Sequence, residues 1–255
     1  MKFRIIGITM LCGALCAPAF AQEAPEAPTA PAAPEAEAEP QGWEGKGEFG
    51  YVSTTGNSET EAINTKLEFV YTRDNWRHRL FAAALRSSED GVEDSERYQF
   101  EAQSDYKLTD VSYLFGALRW DADKFGPYDP QSTLTAGYGR EMFKTPTHLL
   151  KTEIGVGYRQ LEERVSGITS SDPIVRLLLD DSWQFIESTQ WLNRLLVESG
   201  GDNTFSQFNT GLVVAMNAKF AVNIGYEIRN NSKIPPDSDE KTDTTTTVNL
   251  VYNFR

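Results

Sequence analysis

The chain has 255 residues with 24 basic and 37 acidic side chains, a net charge of −13 that excludes nucleic acid as a natural partner. Beyond the N-terminal segment no stretch approaches the roughly 18 apolar residues of a membrane-crossing helix, which excludes a helical membrane protein. The two cysteines, Cys12 and Cys16, fall in a segment expected to be removed, so disulfides and thiolate metal sites are excluded from the mature protein.

Lys2 and Arg4 precede an apolar run from Ile5 to Leu15, and Ala19-Phe20-Ala21 has the small-x-small pattern that signal peptidase cuts. Residues 1–21 are therefore predicted to be a secretory signal peptide. Each cysteine follows a Leu rather than the small residue of a lipoprotein cleavage site. Residues 22–42 are almost wholly Ala, Pro and Glu, a composition that cannot bury enough surface to offset its ordering entropy. This stretch is expected to be a disordered periplasmic arm.

From Trp43 onward apolar and polar residues alternate in segments of about ten. The pattern is plainest at 97–108, where Tyr98, Phe100, Ala102, Tyr106 and Leu108 share one face and Arg97, Gln99, Glu101, Gln103, Asp105 and Lys107 the other. Period two is the mark of a strand. Strands are predicted at 43–53, 60–72, 76–86, 96–108, 111–121, 132–142, 148–159, 174–186, 190–198, 206–216, 219–229 and 244–254. Gly56-Asn57 suits a tight reversal between the first pair. The segments 172–181 and 191–197 also fit short helices, and Asp181 falls on the apolar face of its strand; both segments are kept as strands.

Tight connections such as Arg73-Asp74-Asn75 and Asn217-Ala218 alternate with longer, acid-rich ones at 87–95, 123–131, 160–173 and 230–243. Trp43, Trp76, Trp183 and Trp191 then gather at one rim with Tyr71, Tyr106, Phe220 and Tyr252, while Trp120, Tyr51, Tyr98 and Tyr158 lie near the other. An even strand count, two unlike sides and aromatic girdles predict an all-β fold, a transmembrane antiparallel up-and-down β-barrel over 43–255 in the outer membrane of a Gram-negative cell. Outer-membrane lipid and lipopolysaccharide are its expected surroundings, and a monomer its expected state. The last strand, with Val248, Leu250, Tyr252 and Phe254 on one face, fits the signal read by the barrel assembly machinery, although Arg255 stands where an aromatic residue is usual. The same alternation turned inside out describes a soluble periplasmic β-barrel ligand carrier, the competing fold.

With the apolar face in lipid, the lumen is lined by Glu44, Lys46, Glu48, Lys66, Glu68, Arg77, Arg79, Arg97, Glu101, Asp105, Lys107, Arg119, Lys151, Glu153, Arg159, Arg176, Arg194, Glu227 and Arg229. Such a lining either selects solutes or fills the lumen with ion pairs. The excess of bases over acids among these residues points to small anionic solutes. Gly137, Gly139, Gly155 and Gly157 clear one face of two neighbouring strands, for close approach of lumenal side chains or for a solute path. Acid clusters at Glu89, Asp90, Glu93, Asp94 and Glu96, at Asp121, Asp123 and Asp129, and at Asp237, Asp239 and Glu240 are assigned to solvated extracellular loops. No calcium-loop spacing is present, and neither a metal nor a cofactor is expected. An outer-membrane hydrolase is the rival from another class, with His78 and His148 as its available bases. No G-x-S-x-G elbow or paired-His motif accompanies them, and interface anchoring is the expected role of both; the protein is not expected to be an enzyme.

The segments GEFGYVSTTGNSETEAINTKLEFVY, YKLTD, RWDADKF, TLTAGYGR and IGVGYR, in that order, resemble the YdiY-like family of salt-induced outer-membrane proteins. The resemblance spans about Trp43 to Arg255. It implies an outer-membrane location and a link to salt or osmotic stress, and it supplies no catalytic residues and no substrate.

Overall fold

A strand with one apolar and one ionic face needs two environments, and a sheet of such strands separates them completely only by closing on itself. The computed structural model describes residues 41–54, 59–236 and 240–254. The predicted signal peptide, the arm as far as residue 40, the Gly56-Asn57 reversal and two acids of the last loop cluster, Asp237 and Asp239, lie outside the described residues. Twelve strands form one closed antiparallel barrel in which each pairs with its sequence neighbours and β1 with β12. They are β1 (Gly42–Thr54), β2 (Thr60–Arg73), β3 (Trp76–Glu89), β4 (Val92–Lys107), β5 (Ser112–Asp123), β6 (Tyr128–Lys144), β7 (His148–Glu163), β8 (Thr169–Ile186), β9 (Thr189–Gly200), β10 (Thr204–Ala215), β11 (Phe220–Asn231) and β12 (Thr242–Phe254). The closing seam runs from Gly45 opposite Phe254 to Phe49 opposite Leu250. The Phe254 ring lies against the bare Cα of Gly45, in space that any side chain there would fill.

The apolar face points outward. Leu250 is 48% exposed and Ile224 51%, whereas Glu101 is 9% and Arg229 7% exposed. A soluble carrier would require the opposite, so that alternative is set aside. At the lower rim, the end where β1 starts and β12 finishes, the outward aromatics touch in pairs: Trp43 with Tyr71 at 4.8 Å, Trp76 with Tyr106 at 5.0 Å and Phe220 with Tyr252 at 5.1 Å between ring centroids. Segments 172–181 and 191–197 are strand throughout, inside β8 and β9.

The upper connections are shorter than the sequence suggests. The expected loop at 87–95 is a reversal at Asp90 and Gly91, both at positive φ (50° and 79°), between strands that continue to Glu89 and from Val92. Similarly β6 begins at Tyr128, β7 runs to Glu163 and β8 starts at Thr169. Above the apolar band both faces of a strand meet water, so the ladder continues without the alternation that marks it below.

Candidate functional site

Alternating strand geometry brings the inward side chains to one another across the lumen as well as along the ladder. Links between strands that are not neighbours define its interior. Arg119 on β5 reaches Glu198 on β9 at 3.2 Å, and Arg194 on β9 reaches Glu101 on β4 at 3.0 Å. From β11, Glu227 meets Arg97 on β4 at 2.6 Å and Arg229 meets Asp121 on β5 at 2.9 Å. Arg119 also pairs with Asp121. Together these contacts tie β4 and β5 to β9 and β11 across the barrel and divide its interior into two parts.

The part enclosed by β5–β9 is packed in its upper half. Tyr113, Phe115, Leu161, Ile174, Leu178 and Leu196 are buried in it, and Phe205 lies beneath the guanidinium of Arg119 at 4.5 Å. Gly139 and Gly155 face this space, and the rings of Tyr113 and Phe115 lie against them. At these two positions the glycine stripe is room for aromatic rings, while at Gly137 and Gly157 the neighbouring strand itself occupies the space a side chain would need. The Tyr113 hydroxyl donates to Glu153 at 3.0 Å, Gln103 donates to the same carboxylate at 2.8 Å and Arg176 pairs with it at 2.7 Å. Arg159, fully buried, pairs with Asp172 at 3.3 Å and donates to the Asn203 carbonyl at 2.6 Å. A void of about 10 Å³ remains beside Arg119 and Glu198, room for about one water at most.

The part facing β1–β4 and β10–β12 is open. A cavity of about 320 Å³ is lined by Lys46, Glu48, Lys66, Glu68, Arg79, Arg97, Glu101, Arg194 and Glu227, with Asp180 at its lower edge. Below it a chamber of about 480 Å³, which spans the lower barrel from β1–β4 to Tyr113, Glu141, Lys151, Glu153 and Leu178 of β5–β8, shares Glu68, Arg79, Asp180 and Arg194 with the cavity, and a mouth of about 680 Å³ at the lower rim shares Glu44, Glu68 and Val70 with that chamber. The four shared charges form a neck. Their pairs are long: Arg79 to Glu68 is 3.9 Å and Arg194 to Asp180 is 3.7 Å.

The remaining candidate lumenal residues have definite places. Arg77 pairs with Asp105 at 2.8 Å and Glu141 at 3.5 Å, and Lys151 approaches Glu141 at 3.8 Å. Arg79 pairs with Glu101 at 2.8 Å. Lys107 is half-buried at the lower end of β4, opposite Tyr113. Inward acids that the sequence reading omitted are Asp180, Glu141, Asp172 and Glu198; each shares the parity of a residue already assigned inward, such as Arg176 or Arg194. Asp121 and Asp123, assigned to a loop from the sequence, belong to β5 and bind Arg229 at 2.9 and 3.2 Å. With these acids included, the excess of bases in the lumen disappears. Around the 320 Å³ cavity the bases Lys46, Lys66, Arg79, Arg97 and Arg194 face the acids Glu48, Glu68, Glu101, Asp180 and Glu227.

Both histidines lie on the outer face at the lower rim. His78 stacks between Tyr71 and Trp76, with Nδ1 2.9 Å from the Ser104 hydroxyl. His148 stacks between Phe143 and Trp183, with Nε2 2.7 Å from Asp181. The outward Asp181 is thereby accounted for, and it also accepts from Asn193 at 3.2 Å. A hydroxyl stands at one histidine and a carboxylate at the other, so the parts of a triad are divided between two places. At the upper end Lys124 bridges Glu96 and Glu93 at 2.7 and 3.1 Å, and these bonds, to Glu96 first, hold its ammonium above the ordinary lysine pKa. Among the described residues no group of His, Cys, Asp and Glu is arranged to hold a metal ion.

The family model described as "Protein of unknown function, DUF481" matches residues 47–254. The "Uncharacterized protein YdiY" of Escherichia coli (strain K12) is 27% identical over 212 residues, 83% of each chain. Among solved structures, the COG4313 outer membrane channel from Pseudomonas putida F1 superposes with a TM-score of 0.51 at 13% identity, covering 87% of this chain and 99% of its own. The NanC porin superposes with a TM-score of 0.49 at 12% identity, covering 84% and 99%. The likeness to the Pseudomonas channel is one of fold.

Proposed function

The chain belongs to the DUF481 family, a membership that brings a fold without an activity, and we propose from the lumen itself that the protein is an outer-membrane barrel forming a narrow channel for small polar solutes. The observation that carries this reading is the run of joined spaces, from the lower mouth through the neck of Glu68, Arg79, Asp180 and Arg194 to the cavity beneath Arg97 and Glu227. A barrel serving only as a strut would gain nothing by leaving these spaces unfilled while packing Phe115, Leu161 and Phe205 into the upper half of the β5–β9 side. The balance of charge favours small solutes with polar groups of both kinds over a general preference for anions. With the lower rim in the periplasm, the girdle of Trp43, Trp76, Trp183 and Phe220 marks the inner boundary of the hydrocarbon, and the outward aromatics of β12 are the part presented to the assembly machinery. Lipopolysaccharide is the proposed neighbour at the upper rim, and raised expression under salt stress the proposed physiological setting. We infer no catalytic role, since His78 and His148 are stacked into the aromatic belt and each has only part of a catalytic set.

Planar-bilayer recording on the purified, refolded protein tests the channel. Discrete conductance steps are expected, and Arg194→Gln, which removes one side of the neck, is expected to raise their size. Silent bilayers from protein that migrates as a folded barrel on unheated gels would overturn the channel in favour of a structural role.

A further inference from the structure

The neck is ordered as a chain of alternating charge. Glu68 on β2 lies 3.9 Å from Arg79 on β3, Arg79 2.8 Å from Glu101 on β4, Glu101 3.0 Å from Arg194 on β9, and Arg194 3.7 Å from Asp180 on β8. The inner links are short and the outer ones long. Both guanidiniums donate to the same oxygen of Glu101, Oε2, while its Oε1 accepts from Gln99 at 2.8 Å. Glu101 thus draws the two arginines to itself and away from the acids at either end.

The end carboxylates are the accessible members of the chain. The side chain of Asp180 is 43% exposed and that of Glu68 29%, against 23% for Arg194 and 19% for Arg79. Glu68 lines all three of the joined spaces and Asp180 two of them. Other cations approach without closing on them: Lys46 stands 3.7 Å from Glu68 and is shared with Glu48 at 3.5 Å, while Lys151, opposite Asp180 on β7, is turned to Glu141 at 3.8 Å. Neither Glu68 nor Asp180 accepts a hydrogen bond among the described residues, so each has oxygens open to a donor in the passage. An ammonium group there finds charge-assisted bonds of the kind that Arg79 and Arg194 already make with Glu101.

We propose that the neck selects small organic cations, with Glu68 and Asp180 receiving the ammonium and Glu101 as the positioning residue that keeps Arg79 and Arg194 from neutralising them. The inference rests on the channel reading and adds to it the charge of the solute. A guanidinium released from Glu101 would close on the acid at its own end of the chain, and the preference for cations would go with it.

Reversal potentials of the refolded protein in planar bilayers, under a gradient of potassium chloride and again of ethylammonium chloride, test the selectivity. Wild type is expected to prefer the cation in both salts. Glu68→Gln and Asp180→Asn, at accessible positions, are each expected to lower the preference, and together to lower it about tenfold, the lower end of the enrichment that a charge-lined cleft gives its counter-ions. Glu101→Gln is expected to move the reversal potential toward chloride with both acids still present; Glu101→Asp, with its shorter reach, is expected to move it less in the same direction and is read alone where Glu101→Gln does not fold. A purely structural role for Glu101 would weaken the barrel on unheated gels and leave selectivity where it was. Wild type that prefers chloride or neither ion, or carboxylate variants that keep the wild-type potential, would overturn the selectivity, and folded Glu101 variants with an unchanged potential would overturn the positioning role. Silent bilayers remove the channel and leave the neck to saturation-transfer NMR. Contact of ethylammonium with the folded barrel that Glu68→Gln and Asp180→Asn together abolish supports the neck as a cation site; contact of propionate in its place, or of neither probe, overturns it.

Discussion

The two sides of the lumen use the same residue types to opposite ends. On the β5–β9 side every guanidinium is close to its acid: Arg176 to Glu153 is 2.7 Å, Arg119 to Glu198 3.2 Å and Arg159 to Asp172 3.3 Å, and aromatic rings occupy what the charges leave. On the β1–β4 and β10–β12 side the shortest guanidinium pairs are as close, Arg97 to Glu227 at 2.6 Å and Arg79 to Glu101 at 2.8 Å, but they stand beside long ones, with Lys46 to Glu48 at 3.5 Å, Lys46 to Glu68 at 3.7 Å and Arg79 to Glu68 at 3.9 Å. The difference lies in what fills the space between charges. Tyr113, Phe115 and Phe205 exclude water on one side, and buried charges there require near-ideal partners. Where β2, β10 and β12 present Lys66, Asn209 and Thr247 instead, the space between the charges stays open.

If the packed side is a structural core, the largest effect belongs to its central guanidinium. Arg119→Met leaves Glu198 without its cation and is expected to destabilise the barrel by about 3–5 kcal/mol in urea unfolding followed by tryptophan fluorescence. Adding Glu198→Leu should recover much of that loss, because no buried charge is then stranded. A smaller contrast comes from adding one methyl group to each side. In Gly155→Ala the new Cβ meets the Ala136 carbonyl and the Phe115 ring, and a loss of about 1–3 kcal/mol is expected. Gly225→Ala meets chiefly the Thr247 hydroxyl, which can rotate away, and should cost less than about 0.5 kcal/mol. Equal losses in the two variants would mean that both sides are equally rigid. Smallest of all is Lys66→Gln, expected to change unfolding free energy by less than about 0.5 kcal/mol while shifting the bilayer reversal potential toward cations.

Much of this arrangement is written in the chain at period two. The parity of Arg97, Glu101 and Asp105 against Tyr98, Phe100 and Tyr106 assigns faces in the membrane band, and the strand starts at Trp76 and His148 agree with the structure to the residue. Parity also carried the information that Asp180 and Glu198 point inward, since they follow Arg176 and Arg194 at even spacing. The extensions of β3, β4, β6 and β8 were not legible, because a strand in water on both faces has no apolar stripe to betray it. Asp121 and Asp123 look like loop acids in the sequence because the cation that holds them inward, Arg229, lies 108 and 106 residues further along the chain.

Local chemistry by itself determined that the chain forms strands with one apolar and one ionic face and that they close into a barrel, for these follow from each residue's need for water or hydrocarbon, while the direction of the ionic face is fixed by the exposures of the folded sheet. Tertiary structure alone decided which charges meet across the barrel, that Tyr113 and Phe115 lie against Gly139 and Gly155, and that Arg79 and Arg194 both turn to Glu101. Those outcomes depend on the distance between strands far apart in sequence, and that distance is set by closure of the whole sheet rather than by any segment of it.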